Sequence, residues 1–218
     1  MIGGKLCKSY FSRFKVTGGP RCTERFINKM DLYFIAVAKQ ADDHAKGHIP
    51  DLETYITMRR DTSGCKHIFA VIEYAARIDL PDEVVSHPVI MVMEEATNHD
   101  DIVAWANDMY SYNAEQCRHD THNMISVLMC KRGLDLQDAV DYLGHLCKGS
   151  IQRFEDNRNN LPSWGEEVDR QVDIYVDGLQ NWIVGSLHWH FDSTRYFGND
   201  GQTVKRDLII KLLPKRAL

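Results

Sequence analysis

Apolar residues in this chain recur every three or four positions along most of its length, and no stretch alternates as a half-buried strand would. That period confines the chain to helices packed on helices. The first clear stripe is Phe26, Met30, Phe34, Val37 and Ala41, expected to be one buried face. Pro50 and Asp51 start a short helix, which Ser63 and Gly64 break. Further helices are expected over Cys65 to Ile78, from near Pro88, and from about His99 to Cys117. Asp120 or Thr121 can cap the next one, and Gly133 ends it. Asp135 opens a long amphipathic helix through Leu143 and Phe154, and the last long one runs from Trp164 to about His190. There is no repeat and no low-complexity linker, so the fold class is all-α.

With 218 residues, the chain can bury one sizeable core and is most simply one domain. A net charge of −5 offers no general basic field for nucleic acid. Its six cysteines form no C-x-x-C pair and read as reduced thiols of a cytoplasmic protein. No apolar run approaches the length of a membrane span, and Lys5, Lys8, Arg13 and Lys15 interrupt any signal-peptide core at the start.

The chemistry concentrates in Asn107-Asp-Met-Tyr-Ser111-Tyr-Asn-Ala-Glu115. At helical pitch, Asn107, Ser111 and Glu115 fall within about 80° of one another over a rise of roughly 12 Å, and so share one face. An amide, a hydroxyl and a carboxylate make a hard, weakly charged oxygen set. Such a set suits Mg²⁺ that keeps some waters and is held mainly by a ligand phosphate. A diphosphate substrate is the natural inference.

Other stretches join this one. Tyr55-Ile-Thr-Met-Arg59-Arg60-Asp-Thr-Ser63-Gly64 lies upstream, and Asp120-Thr-His-Asn123, Leu161-Pro-Ser-Trp-Gly165 and Trp189-His-Phe-Asp-Ser-Thr-Arg195-Tyr196 lie downstream. Together, in order and spacing, they resemble the class I terpene synthases, and more narrowly the sesquiterpene synthases of mushroom-forming fungi. The resemblance runs over roughly residues 21–216. It implies a class I terpenoid synthase helical bundle that ionises and cyclises farnesyl diphosphate with Mg²⁺ held by Asn107, Ser111 and Glu115. By the same resemblance, Arg60 senses the diphosphate, with Ser63 and Gly64 relaying the contact and Arg59 as the nearby competitor. Arg195 and Tyr196 would bind diphosphate oxygens, and Trp189, or less readily Phe191, would face a passing carbocation. On its own residues, Trp189 reads equally well as core, and Arg195 as a charge answering a helix C-terminus. The His188-x-His190 pair and the Cys117-x-His119-x-x-His122 cluster lack a complete zinc set. Lys205 to Arg216 reads as a solvated end.

The family's second metal motif, an aspartate-rich sequence upstream of the triad, has no counterpart here. Asp42-Asp43 is followed by His44-Ala-Lys46 and stands only 65 residues before Asn107, which suits a solvated helix face. Asp100-Asp101 lies too close to the triad to oppose it. Residues 1–20 carry no resemblance and stay unassigned, with 21–218 as the C-terminal portion of the synthase domain. The expectation is a truncated member, incomplete at its N-terminal helices, with two functional classes open. One is a sesquiterpene synthase. The other is a catalytically silent remnant whose uncovered apolar faces favour association, including a homodimer. The product skeleton is not encoded in any single residue.

Overall fold

The computed structural model describes residues 2–98 and 102–217, and these form helices joined by short turns. In order they are α1 (Ile2–Thr17), α2 (Pro20–Ala45), α3 (Leu52–Thr62), α4 (Cys65–Ala76), α5 (Asp82–Val85), α6 (Pro88–Asn98), α7 (Ile102–Cys117), α8 (Met124–Arg132), α9 (Leu136–Arg158), α10 (Glu166–Asp192), α11 (Thr194–Phe197) and α12 (Gly201–Asp207). No strand occurs among the described residues, and none of their helices is long and apolar enough to cross a membrane. His99, Asp100 and Asp101 lie outside the described residues.

Local chemistry sets most of the boundaries. Asp51 caps α3 by accepting from Thr54 N–H at 2.9 Å, and Asp135 caps α9 by accepting from Asp138 N–H at 2.8 Å. Gly64, between α3 and α4, has φ of +76°, a left-handed conformation that ends one helix and turns the chain into the next. One expected cap moves. The side chain of Asp120 accepts from His122 N–H, a local turn that delays the start of α8, and Asn123 becomes its cap.

Three apolar clusters hold the bundle. One gathers α4, α6 and α10 around Phe69, Ile90, Met93, Tyr175 and Leu179. A second joins α3, α7, α8 and α9 through Tyr55, Trp105, Met124, Leu128 and Leu143. The third docks α1 and α2 on α4, where Phe14 stacks on Phe26 and on Tyr74 with ring centroids 4.6 and 4.4 Å apart. Helix α7 stands between the first two clusters. Ile102, Val103, Ala104 and Trp105 are all buried in succession, with Val103 in one cluster and Trp105 in the other.

One sequence expectation changes, and one gains a detail. Only the first half of the α2 stripe is covered. Phe26 is buried, but Phe34 is 53% exposed and Ala41 is exposed, because α3 and α4 meet α2 along a different face there. Asp42 is also exposed and pairs with Lys46. The C-terminal end is exposed from residue 206 to 217, as expected of a solvated end, and is also laid along α7. Asn113 donates to the Lys211 carbonyl and accepts from Leu213 N–H, at 3.2 and 2.7 Å, and Arg216 N–H donates to the Cys117 carbonyl at 2.9 Å.

Candidate functional site

The site is built on α7, with partners brought to it by α3, α8, α10 and α11. Asn107 is the junction. Its Oδ1 accepts from Arg59 Nη2 at 2.8 Å, and its Nδ2 donates to Tyr196 Oη at 2.8 Å, so one amide joins α3 to α11. Next to it Asp108 is buried, and its carboxylate accepts from Tyr55 Oη at 2.6 Å, from Arg59 Nε at 2.9 Å and from Met124 N–H at 2.9 Å. Burial works against the Arg59 charge, but Asp108 outweighs it and the guanidinium is held charged. Burial and the Asp108 carboxylate together push the Tyr55 phenol well up, so it stays a neutral donor.

One and two turns farther along α7, Ser111 is buried and Glu115 is half-buried. Burial raises the Glu115 carboxyl, a shift opposed by hydrogen bonds from Asn123 and Ser111. Asn123 Nδ2 lies 2.9 Å from Glu115 Oε2 and 3.5 Å from Ser111 Oγ. The three triad side chains therefore occupy one face, as their spacing requires.

A cavity of about 700 Å³ opens beside the Asn107 end. Its polar edge is Asn107, Arg59, Ser63, Arg195 and Tyr196, and its apolar wall includes Val103, Trp182 and Trp189. Trp189 is not core. It is 48% exposed and meets the Tyr196 ring edge-on at 5.7 Å. Phe191 is buried between Tyr110 and Phe197, away from this wall. Arg195 lies over the Tyr196 ring, its guanidinium carbon 5.3 Å from the centroid. Of the two adjacent arginines, Arg59 faces the cavity, while Arg60 is half-buried and does not line it. Ser111 and Glu115 lie farther along α7 and do not line it either.

The donor set fits a hard divalent cation. Amide, hydroxyl and carboxylate oxygens share the α7 face, and no group of three or more His, Cys, Asp or Glu among the described residues could hold an ion alone. Such a face suits Mg²⁺ anchored by a ligand's phosphates rather than by an all-protein cage. Of the sulfur and imidazole candidates, Cys117 Sγ contacts the Pro214 carbonyl, and His119 Nε2 the Arg216 carbonyl.

The sequence model described as "Terpene synthase family 2, C-terminal metal binding" matches residues 2–153, a span that contains the whole Asn107–Glu115 face. The chain belongs to the terpene synthase family. This terpene synthase is 55% identical over 214 residues to "Sesquiterpene synthase 1" of Postia placenta, covering 98% of this chain and 63% of that protein. It is 52% identical to "Alpha-muurolene synthase" of Coprinopsis cinerea over 96% of this chain and 49% of that protein. Among solved structures, germacradien-4-ol synthase from Streptomyces citricolor superposes with a TM-score of 0.72 at 25% identity, covering 84% of this chain and 59% of that one. The all-α fold is thus the class I terpenoid synthase fold. The chain spans less than two thirds of the length of these relatives.

Two parts of this terpene synthase site escaped sequence reasoning. One is the Tyr55–Arg59–Asp108 network. Its signal was an aspartate just after the apolar run Val103-Ala104-Trp105, which a buried helix tolerates only if a cation and donors face it. The other is Asn123, seen only as part of a familiar motif.

Proposed function

We propose that this chain acts as a sesquiterpene synthase, taking farnesyl diphosphate with Mg²⁺, ionising it and closing the carbon chain to a cyclic product with release of diphosphate. The observation that carries this reading is the Asn107 junction at the mouth of the cavity. It sets the first amide of the α7 oxygen face, two guanidinium groups and a phenol beside an aromatic wall. A volume of about 700 Å³ lies inside the roughly 300–1,000 Å³ usual for small-ligand sites.

Asn107, Ser111 and Glu115 would hold the metal. Its chemistry, when bound, is to stabilise charge on the leaving diphosphate as the allylic C–O bond breaks. Arg195 and Tyr196 donate to diphosphate oxygens from the α11 side. Arg59, anchored at Nε by Asp108, offers its other edge to the same group. Arg60 keeps the sensor role by its place before Ser63 and Gly64, so both arginines enter the test. Trp189 and Trp182 present ring faces to a cation while the apolar wall keeps water away. The protein works in the cytoplasm under this reading.

One observation favours a second reading, a silent diphosphate-binding remnant: no acidic cluster among the described residues stands opposite the α7 face. Incubation of the purified chain with farnesyl diphosphate and Mg²⁺, followed by gas chromatography, separates the two. The expected result is a hydrocarbon or alcohol peak that is abolished in Asn107→Ala and reduced at least 10-fold (~1.4 kcal/mol) in Arg59→Ala, Arg60→Ala or both. A folded chain that yields no product overturns the enzyme reading in favour of the remnant.

A further inference from the structure

Asn123 is fully buried at the start of α8 and is not among the residues that would touch metal or diphosphate. Its Oδ1 accepts from Ile125 N–H at 2.9 Å, which is all that a helix cap requires. Serine, threonine or aspartate would cap as well. What asparagine adds is the NH₂. Nδ2 donates to the Asp108 carbonyl at 2.7 Å and to Glu115 Oε2 at 2.9 Å, with Ser111 Oγ at the edge of its reach at 3.5 Å. An amide nitrogen carries two protons, and the two short contacts use both. One proton ties α8 to the α7 backbone, and the other fixes the carboxylate of the metal face.

We propose that Asn123 is a positioning residue for the metal face: its amide fixes one carboxylate oxygen of Glu115 beside Ser111 on α7. The inference rests on the metal reading given above. Ligating carboxylates are commonly oriented by such hydrogen bonds, and losing one lowers metal affinity by roughly 10–100-fold.

The test uses the whole chain with Mn²⁺ and inorganic diphosphate, free Mn²⁺ being read by electron paramagnetic resonance. Asn123→Ser keeps a capping oxygen and removes the donor to Glu115. Affinity should fall by about 10–100-fold, with a changed line shape for the bound ion. Asn123→Asp keeps the cap and places a carboxylate oxygen against Glu115, so it should lose more, and it serves if the serine variant does not fold. In a Glu115→Gln background, Asn123→Ser should cost little further, because the carboxylate it orients is gone. Equal loss in both backgrounds, or no loss in either single variant, overturns the proposal. If the unaltered chain fails to bind Mn²⁺ with diphosphate, the metal reading beneath it falls first and takes the proposal with it.

Discussion

Asp108 is 2% exposed and accepts from an arginine, a tyrosine and a backbone N–H at once, so every lone pair facing the core is committed. Replacing it with asparagine keeps the shape but turns an NH₂ toward groups that are themselves donors, and leaves Arg59 with an uncompensated buried charge. The expected cost of Asp108→Asn is about 3–5 kcal/mol, or roughly 10 °C in thermal midpoint for a chain of this size. Calorimetry on the two proteins measures it, and an unchanged midpoint contradicts the network. At this scale the sequence was partly legible. The three ligand-type residues on α7 could be read because helical spacing alone puts them on one face. The resemblance put Arg60 ahead of Arg59, whereas Arg59 is the one that meets the cavity; adjacent residues diverge by 100°, and only the packing of α3 on α7 decides between them.

Between residues and the whole molecule, the last segment behaves as a strap on α7. Asn113 holds it at two points, donating to Lys211 and accepting from Leu213, and Gln116 donates to the Leu213 carbonyl at 2.8 Å. Asn113→Ala removes two of these bonds, a loss of about 1–3 kcal/mol at ordinary values of 0.5–1.5 kcal/mol each. The strap should then detach first. Trypsin cleavage after Lys211 and Lys215 is expected to accelerate several-fold while far-ultraviolet circular dichroism stays constant, and unchanged cleavage would mean that the strap is held by other contacts. Helix starts and stops were legible wherever a side chain acts on its own neighbours, as with Asp51, Gly64 and Asp135. The strap was not, because its bonds join residues nearly a hundred positions apart. The outer half of α2 was misread for a related reason: a stripe shows that a helix is amphipathic, not how far its partner extends.

For the molecule as a whole, a half-buried acid links stability to pH. Tyr175 on α10 donates to Glu94 on α6 at 2.5 Å, and burial, opposed by that bond, raises the Glu94 carboxyl to about 7. A carboxyl with a raised pKa in the folded state binds its proton more tightly there than in the unfolded chain. Its contribution to stability is complete at low pH and is lost as pH climbs from its unfolded value of 4.5 toward about 7. Over that window the loss is up to roughly 3 kcal/mol. Glu94→Gln should flatten this part of the profile, which urea unfolding at pH 5, 6 and 7 would show. Equal pH slopes in both proteins would assign the dependence elsewhere.

The placement of α7 between two apolar clusters has an evolutionary consequence. A helix gripped on both sides cannot shift without unfolding its surroundings, so substitutions there are removed by selection whatever they do to the cavity. The opposite wall hangs on α10, where Trp189 is half open and a Cβ at Gly185 would meet nothing within 4 Å. Descendants of this chain can therefore remodel the shape of the cavity at little thermodynamic risk while inheriting α7 unchanged. Diversity should accumulate on one side of the cavity and fidelity on the other.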